Sequence, residues 1–363
     1  MLEELYDPDI EFRYEIVKRI GKGAFGEVHE AIDVKNNGHL VALKTISLNL
    51  SHSHNGDNDD DSNNISKAVF RELESLRQLS DCQYINKLLN VYAGDGRIVL
   101  VLEYMITNLG EIIENNKNKR IEEKDVCLIS YMILQAILYC HDHNIIHRDI
   151  KPTNLLLSSY GTIKLGDFGL ARICNNNNNK TELSMSHQVA TRWYRAPELL
   201  FASRKYTFTM DIWAVGVVIA EMINLTPLFP GINDIDQLYR VFQGLGTPNS
   251  NNSNNWPLVD QLPDYEKVSF PSMTPLRPCV LLPNATKQEC NFLFNHFIIL
   301  DPSKRSYANE ILNDSYVNNN DNKLMTSNSL IKYIKTKNNT NNKNIKKDRN
   351  NSCVNMDSIF EQT

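Results

Sequence analysis

His147-Arg148-Asp149-Ile150-Lys151-Pro152-Thr153-Asn154, followed downstream by Asp167-Phe168-Gly169, decides how this chain reads. Moving a phosphoryl group asks for little covalent chemistry. It needs a carboxylate to accept the proton of the attacking hydroxyl, and oxygen ligands for magnesium beside the phosphates. Asp149 fits the first role, and Asn154 and Asp167 fit the second. Lys151, two residues past Asp149, can reach the transferred phosphate and the attacking oxygen. One Asp-Phe-Gly alone is weak, because short triplets recur by chance. The reading rests on several independent motifs that fall in a fixed order.

Upstream, Gly21-Lys22-Gly23-Ala24-Phe25-Gly26-Glu27-Val28 is a G-x-G-x-x-G-x-V loop, preceded by Ile20. A dinucleotide-binding turn also uses G-x-G-x-x-G, but it wants a helix directly after the loop. Here a β-hairpin pattern follows, with Val28 to Asp33 and Leu40 to Ile46 as strands and Asn36-Asn37-Gly38 as the turn. Glycines let backbone lie close over phosphates. Val41-Ala42-Leu43-Lys44 then puts a lysine on the third strand, placed to hold the α- and β-phosphates of ATP. That lysine needs an acidic partner on the following helix, where Glu72 and Glu74 both stand. The residues alone leave both open, with an ordinary solvated helix glutamate as the bland reading of either.

The chain has 363 residues, and its formal charge is -5, from 38 Lys and Arg against 43 Asp and Glu. That balance makes no case for nucleic-acid or membrane-surface binding. No N-terminal run reads as a signal peptide, and no run is long enough to span a bilayer. The seven cysteines are scattered without a C-x-x-C pair, which points to reduced thiols rather than a disulfide framework or zinc site.

Composition divides the chain into an N-terminal extension at 1–13, a domain at 14–316 and an Asn- and Lys-rich tail at 317–363 that reads as disordered. Polar tracts at 49–64, 175–179 and 249–255 fall where loops are expected. His52, His54 and the aspartates from Asp57 to Asp61 lie in the first, in plain low complexity with nothing to fix a metal's geometry. Strand patterns dominate to residue 104: Ile16 to Ile20, the hairpin, and Ile98 to Leu102. Ser66 to Leu79 is the exception, with Phe70, Leu73, Leu76 and Leu79 expected on one side of a helix. Past Leu109 the pattern turns helical, over Lys124 to His143, Met210 to Asn224 and Asp234 to Leu245. The expected fold is α+β and bilobal, a small β-rich lobe at 14–104 followed by a larger helical one at 105–316.

Together these motifs resemble the protein kinases. The end of the segment after Asp-Phe-Gly, Val189-Ala190-Thr191-Arg192-Trp193-Tyr194-Arg195-Ala196-Pro197-Glu198, resembles the group that holds cyclin-dependent and mitogen-activated kinases. Pro227-Leu228-Phe229-Pro230-Gly231, Gly246-Thr247-Pro248-Asn249 and Leu262-Pro263-Asp264-Tyr265 are similar to the cell-cycle-related branch of the cyclin-dependent kinase family. Lysine at 151 resembles Ser/Thr-specific rather than tyrosine-specific members.

The resemblance implies further roles. Glu72, with Leu76 one turn later, matches the acidic partner of Lys44 in family members, which leaves Glu74 as a solvated glutamate. Adenine sits between Val28 and Ala42 above and Leu156 below, with Leu102 as gatekeeper and the backbones of Glu103 and Met105 as hydrogen-bonding groups. Thr191 steadies Asp149 and Lys151. Arg195 ties down the carbonyl of Val189, so the substrate residue after the acceptor lacks a partner for its N–H. Proline has no N–H to leave unsatisfied, and substrates with Ser-Pro or Thr-Pro sites are implied. Ser186 stands at the activating phosphosite, with Arg71, Arg148 and Arg172 as its phosphate clamp. His147 packs beneath Phe168, and Glu198 forms a buried ion pair with Arg305. Ser66 to Glu72 occupies the cyclin-binding helix but keeps only Ala68, Arg71 and Glu72 of its usual sequence, so a cyclin or cyclin-like activator stays open. Ala24 and Phe25 replace the phosphorylatable pair of cell-cycle members.

The expectation is a proline-directed Ser/Thr kinase using ATP and Mg2+, cytoplasmic or nuclear, with cell-cycle or ciliary control implied by analogy. Two rivals are a pseudokinase-like scaffold, disfavoured because Lys44, Asp149 and Asn154 are intact, and a mitogen-activated-type kinase. Gln188 stands where that type has its second, tyrosine phosphoacceptor.

Overall fold

Strand alternation in the first hundred residues builds a five-stranded antiparallel sheet: β1 (Tyr14–Gly23), β2 (Gly26–Asp33), β3 (His39–Ser47), β4 (Leu88–Gly94) and β5 (Arg97–Glu103), in the order β1-β2-β3-β5-β4. The structure is a computed structural model that describes residues 13–23, 26–47, 59–94, 96–117, 119–174, 192–203, 207–248, 256–318 and 330. The hairpin between β2 and β3 turns on Asn37 and Gly38, both at positive φ, a conformation that Asn and Gly adopt at least cost. Gly26 is required for another reason. A Cβ there would lie 1.8 Å from the Thr45 carbonyl oxygen, so only glycine lets β2 approach β3 at this point.

Between β3 and β4 runs helix α1 (Asp59–Gln78). It begins seven residues before the expected start, inside a tract expected to be loop. Val69, Leu73, Leu76 and Leu79 are buried, and each contributes about 1.5–3 kcal/mol of transfer free energy. Phe70, expected on that face, is instead 51% exposed. At 100° per residue the stripe runs through 69, 73 and 76, and Phe70 falls outside it. Strand β4 was not anticipated, because Leu88 to Gly94 carries no clean alternation.

The second lobe is helical. After the short strand β6 (Thr107–Asn108) come α2 (Leu109–Asn115) and α3 (Glu123–Asp142). Four further short strands follow the chain past the cleft: β7 (Ile145–Ile146), β8 (Leu155–Leu157), β9 (Ile163–Leu165) and β10 (Arg172–Ile173), with β10 against β7 and β8 between β6 and β9. Then come α4 (Pro197–Leu200), α5 (Thr209–Asn224), α6 (Asp234–Leu245), α7 (Pro278–Leu281), α8 (Lys287–His296) and α9 (Ala308–Ile311).

Helix α5 is buried from Thr209 to Ile223 without a solvent face, the pattern of a helix at the centre of a large core. Gly216 lets it in close, because a Cβ there would lie 2.3 Å from Cβ of Phe297. Arg305 braces the same region. Its guanidinium forks onto Glu198 at 2.7 and 2.8 Å, donates to the carbonyls of Ile299, Leu300 and Thr209, and lies 5.0 Å from the Trp213 ring centroid. This is the expected buried ion pair, with the surplus N–H groups satisfied by backbone. Among the described residues, no helix is long and apolar enough to cross a membrane.

Candidate active site

The catalytic loop is held by backbone before any side chain acts. Asp211, at the start of α5 and 1% exposed, accepts the backbone N–H of His147 at Oδ2 and of Arg148 at Oδ1, each at 2.9 Å. His141 Nε2 lies 3.1 Å from Oδ2. Burial alone works to raise the Asp211 pKa, but these partners, His141 first, hold it below the ordinary aspartate value. Arg148 has φ of 71°, a strained conformation for a residue with a side chain, and the Asp211 bond holds it there. His147 Nε2 lies 3.0 Å from the Gly166 carbonyl oxygen, and its ring meets Phe168 edge-on at 4.7 Å, which is the packing expected beneath Phe168.

This fixes Asp149 at the mouth of the cleft. Lys151 Nζ donates to Asp149 Oδ2 at 2.7 Å. Asn154 Nδ2 donates to Oδ2 at 3.0 Å and to the Asp149 backbone carbonyl at 2.8 Å. Directing the amide N–H groups at Asp149 turns the Asn154 carbonyl oxygen the other way, as an acceptor for a hard cation. A short 3-10 turn, Pro152 to Asn154, sets this orientation, with Pro152 at its first position.

Across the cleft, Lys44 on β3 reaches three carboxylate oxygens. Glu72 takes 2.7 and 2.9 Å, and Asp167 takes 3.0 Å. Glu74, the alternative partner, is exposed on the far side and receives only Gln78. Burial works against the Lys44 charge, but Glu72 and Asp167 hold its pKa above the ordinary lysine value. Burial raises the Glu72 pKa, with Lys44 opposing. Asp167 has φ of 60°, and for it the pull of Lys44 outweighs burial and leaves its pKa below the usual value. Its side chain is 47% exposed, open toward the cleft.

The residues expected to line an adenine pocket come together through strand register. Val28 pairs with Lys44 and Ala42 with Leu102, while Asn108 against Leu156 brings β8 beneath the linker. Ala42 and Leu102 are buried, and Val28 and Leu156 are half-buried. Lys164 of β9 reaches Glu103 Oε2 at 2.5 Å and pins the linker side chain to the lower lobe, a contact no sequence motif announced. Ile20, Gly21, Lys22, Gly23 and Gly26 lie along the β1–β2 hairpin, and Met105 is half-buried in the linker. The hairpin tip, Ala24 and Phe25, lies outside the described residues, as do Ser186, Val189 and Thr191.

Of the expected phosphate clamp, Arg172 pairs across β10 with Ile146, two residues before Arg148. Arg71 is half-buried on α1, and burial lowers its pKa. A cavity of about 50 Å³ lies beside the catalytic loop, lined by Asp149, Arg148, Tyr194, Arg195 and Met210. Tyr194 in its wall donates to Glu221 Oε2 at 2.7 Å.

Residues 14–317 match the protein kinase domain family. This chain belongs to it. The kinase is 39% identical over 304 residues to cyclin-dependent kinase 20 of Danio rerio, covering 84% of this chain and 83% of that one. Its identity to the cyclin-dependent kinase 20 proteins of Homo sapiens and Mus musculus is 38%, over 84% of this chain and 82% of each. It is a Ser/Thr protein kinase of the cyclin-dependent type, with the bilobal α+β fold and the use of ATP and a divalent metal that the kinase family carries.

Proposed function

We propose that this kinase is catalytically active and proline-directed, moving the γ-phosphoryl group of ATP to Ser or Thr of protein substrates with magnesium bound at Asp167 and Asn154. The observation that carries it is the joint arrangement of Lys44 with Glu72 and Asp167, and of Asp149 with Lys151 and Asn154. Asp149 takes the proton of the substrate hydroxyl. Lys151 balances charge at the attacking oxygen, and Lys44 holds the α- and β-phosphates. One carboxylate and one amide carbonyl make an all-oxygen donor set. Magnesium suits such a set because it keeps water and substrate phosphates as its other ligands. When bound, the ion neutralises charge on the phosphates.

Support for proline direction comes from Arg195 beside the cavity next to Asp149 and from the resemblance over residues 189–198. A phosphate on Ser186, gathered by Arg71, Arg148 and Arg172, would order the segment that receives substrate. The half-exposed Phe70 beside Arg71 and Glu72 offers a face for a cyclin-like activator. A place in cell-cycle or ciliary control, in the cytoplasm, nucleus or cilium, follows by family analogy. The deciding experiment supplies labelled ATP and magnesium with paired peptides carrying Ser-Pro or Ser-Ala, and uses Asp149→Asn as control. Transfer to Ser-Pro alone supports the proposal, and equal transfer to both removes proline direction.

A further inference from the structure

Tyr104, next after Glu103 in the linker, donates its hydroxyl to Glu30 Oε2 at 2.9 Å, bridging 74 positions of sequence. Glu30 lies on β2 and is 8% exposed. Side chains two apart on a strand share a face, so Glu30 lies on the same face as Val28. It also pairs directly with Ala42 on β3. Val28 and Ala42 form the roof over adenine in the reading above, and the linker carries the adenine-bonding backbone of Glu103 and Met105. The Tyr104 hydroxyl therefore joins the linker to the edge of that roof.

A third group meets at the same atom. Lys18, paired with Glu30 across β1 and β2, places Nζ 3.4 Å from Oε2. A buried carboxylate must be compensated, and here the compensation comes from two separate pieces of chain that flank the nucleotide cleft. No motif of the phosphate-handling machinery asks for a carboxylate at 30 or a phenol at 104.

We propose that the Tyr104–Glu30 hydrogen bond is a latch that fixes the height of the adenine roof above the linker and so sets nucleotide affinity, with Tyr104 as a positioning residue. The proposal rests on the ATP-site reading above. Without the hydroxyl, Glu30 keeps only the largely exposed Lys18, and the roof can lift relative to the linker. Binding weakens while the Asp149 side of the cleft is untouched.

The test uses the full chain. Tyr104→Phe removes one hydroxyl and leaves the ring. Affinity for a fluorescent ADP analogue, KM for ATP, kcat on a Ser-Pro peptide and the melting temperature are all measured. Nucleotide affinity is expected to fall roughly three- to tenfold, the scale of one charge-assisted hydrogen bond. KM for ATP should rise by a similar factor with kcat within about twofold. Glu30→Gln should act in the same direction, and the double variant should be little worse than either single one. Unchanged nucleotide affinity, with or without a lower melting temperature, would overturn the latch, and so would losses that simply add in the double variant. Nucleotide binding is read without phosphotransfer. A chain that binds nucleotide but transfers nothing would thus count against the activity reading, while the binding arm still decides the latch.

Discussion

Lys44 Nζ donates to both carboxylate oxygens of Glu72, at 2.7 and 2.9 Å, across the gap between the third strand and helix α1. The pair ties the position of helix α1 to Lys44, the residue proposed to hold the ATP phosphates. It also holds Lys44 pointed at Asp167, whose carboxylate the cation shares.

Glu72→Gln keeps the shape and removes the charge. It should lower kcat/KM by about 10- to 100-fold, or about 1.4–2.7 kcal/mol of transition-state stabilisation. Steady-state kinetics on a fixed peptide check this. Glu74→Gln, on the exposed side of the same helix, should change nothing measurable.

Asp149→Asn should retain nucleotide binding and lose turnover by about 10²–10⁴-fold, the usual contribution of a positioned general base. The amide still accepts Lys151 but cannot take a proton. Undiminished phosphotransfer by this variant would remove Asp149 as the base.

Asp211 gives a pH dependence of stability. Its folded pKa lies below the ordinary value of 3.8, so the unfolded chain binds the proton more tightly. The stabilisation is fully present above that ordinary value and is lost as pH falls through the folded one. Denaturant titrations of the native chain and Asp211→Asn should show a stability difference at pH 6 that shrinks progressively below about pH 4. A constant difference would show that Asp211 does not titrate differently on folding.

Glu198→Gln breaks a fully buried pair and leaves the Arg305 charge uncompensated. A loss of about 3–5 kcal/mol is expected, read as a lower denaturation midpoint. Nucleotide affinity of the fraction that stays folded should be unchanged, since neither residue of the pair belongs to the proposed nucleotide site.

What the sequence disclosed follows from what chemistry constrains. The loop from His147 to Asn154 was legible because phosphoryl transfer needs those groups at fixed spacing. The choice of Glu72 over Glu74 came from family resemblance, and the structure pairs Glu72 with Lys44. The ion pair of Glu198 with Arg305 came from family resemblance, and the structure brings the two together. Helix α1 was misjudged at its start, because Asp and Asn are poor helix formers and only position at a helix N-terminus reverses that. Phe70 was misplaced because a stripe containing Leu73 and Leu76 admits Val69 or Phe70 by pattern, and tertiary packing chose Val69. Tyr104 with Glu30 and Lys164 with Glu103 were invisible, since such contacts join strands and linker far apart in sequence and carry no local periodicity.

Asp211 reaches the catalytic loop from a helix that comes much later in the chain, 64 residues beyond His147. During synthesis the strands proposed to hold nucleotide, Lys44 and Asp149 all leave the ribosome before the segment that fixes the backbone of the loop around Asp149. A nascent chain can therefore present every reactive group and still be unable to modify its neighbours. If Asp149 is the base proposed above, its placement waits for Asp211 of α5, so the order of translation puts competence last.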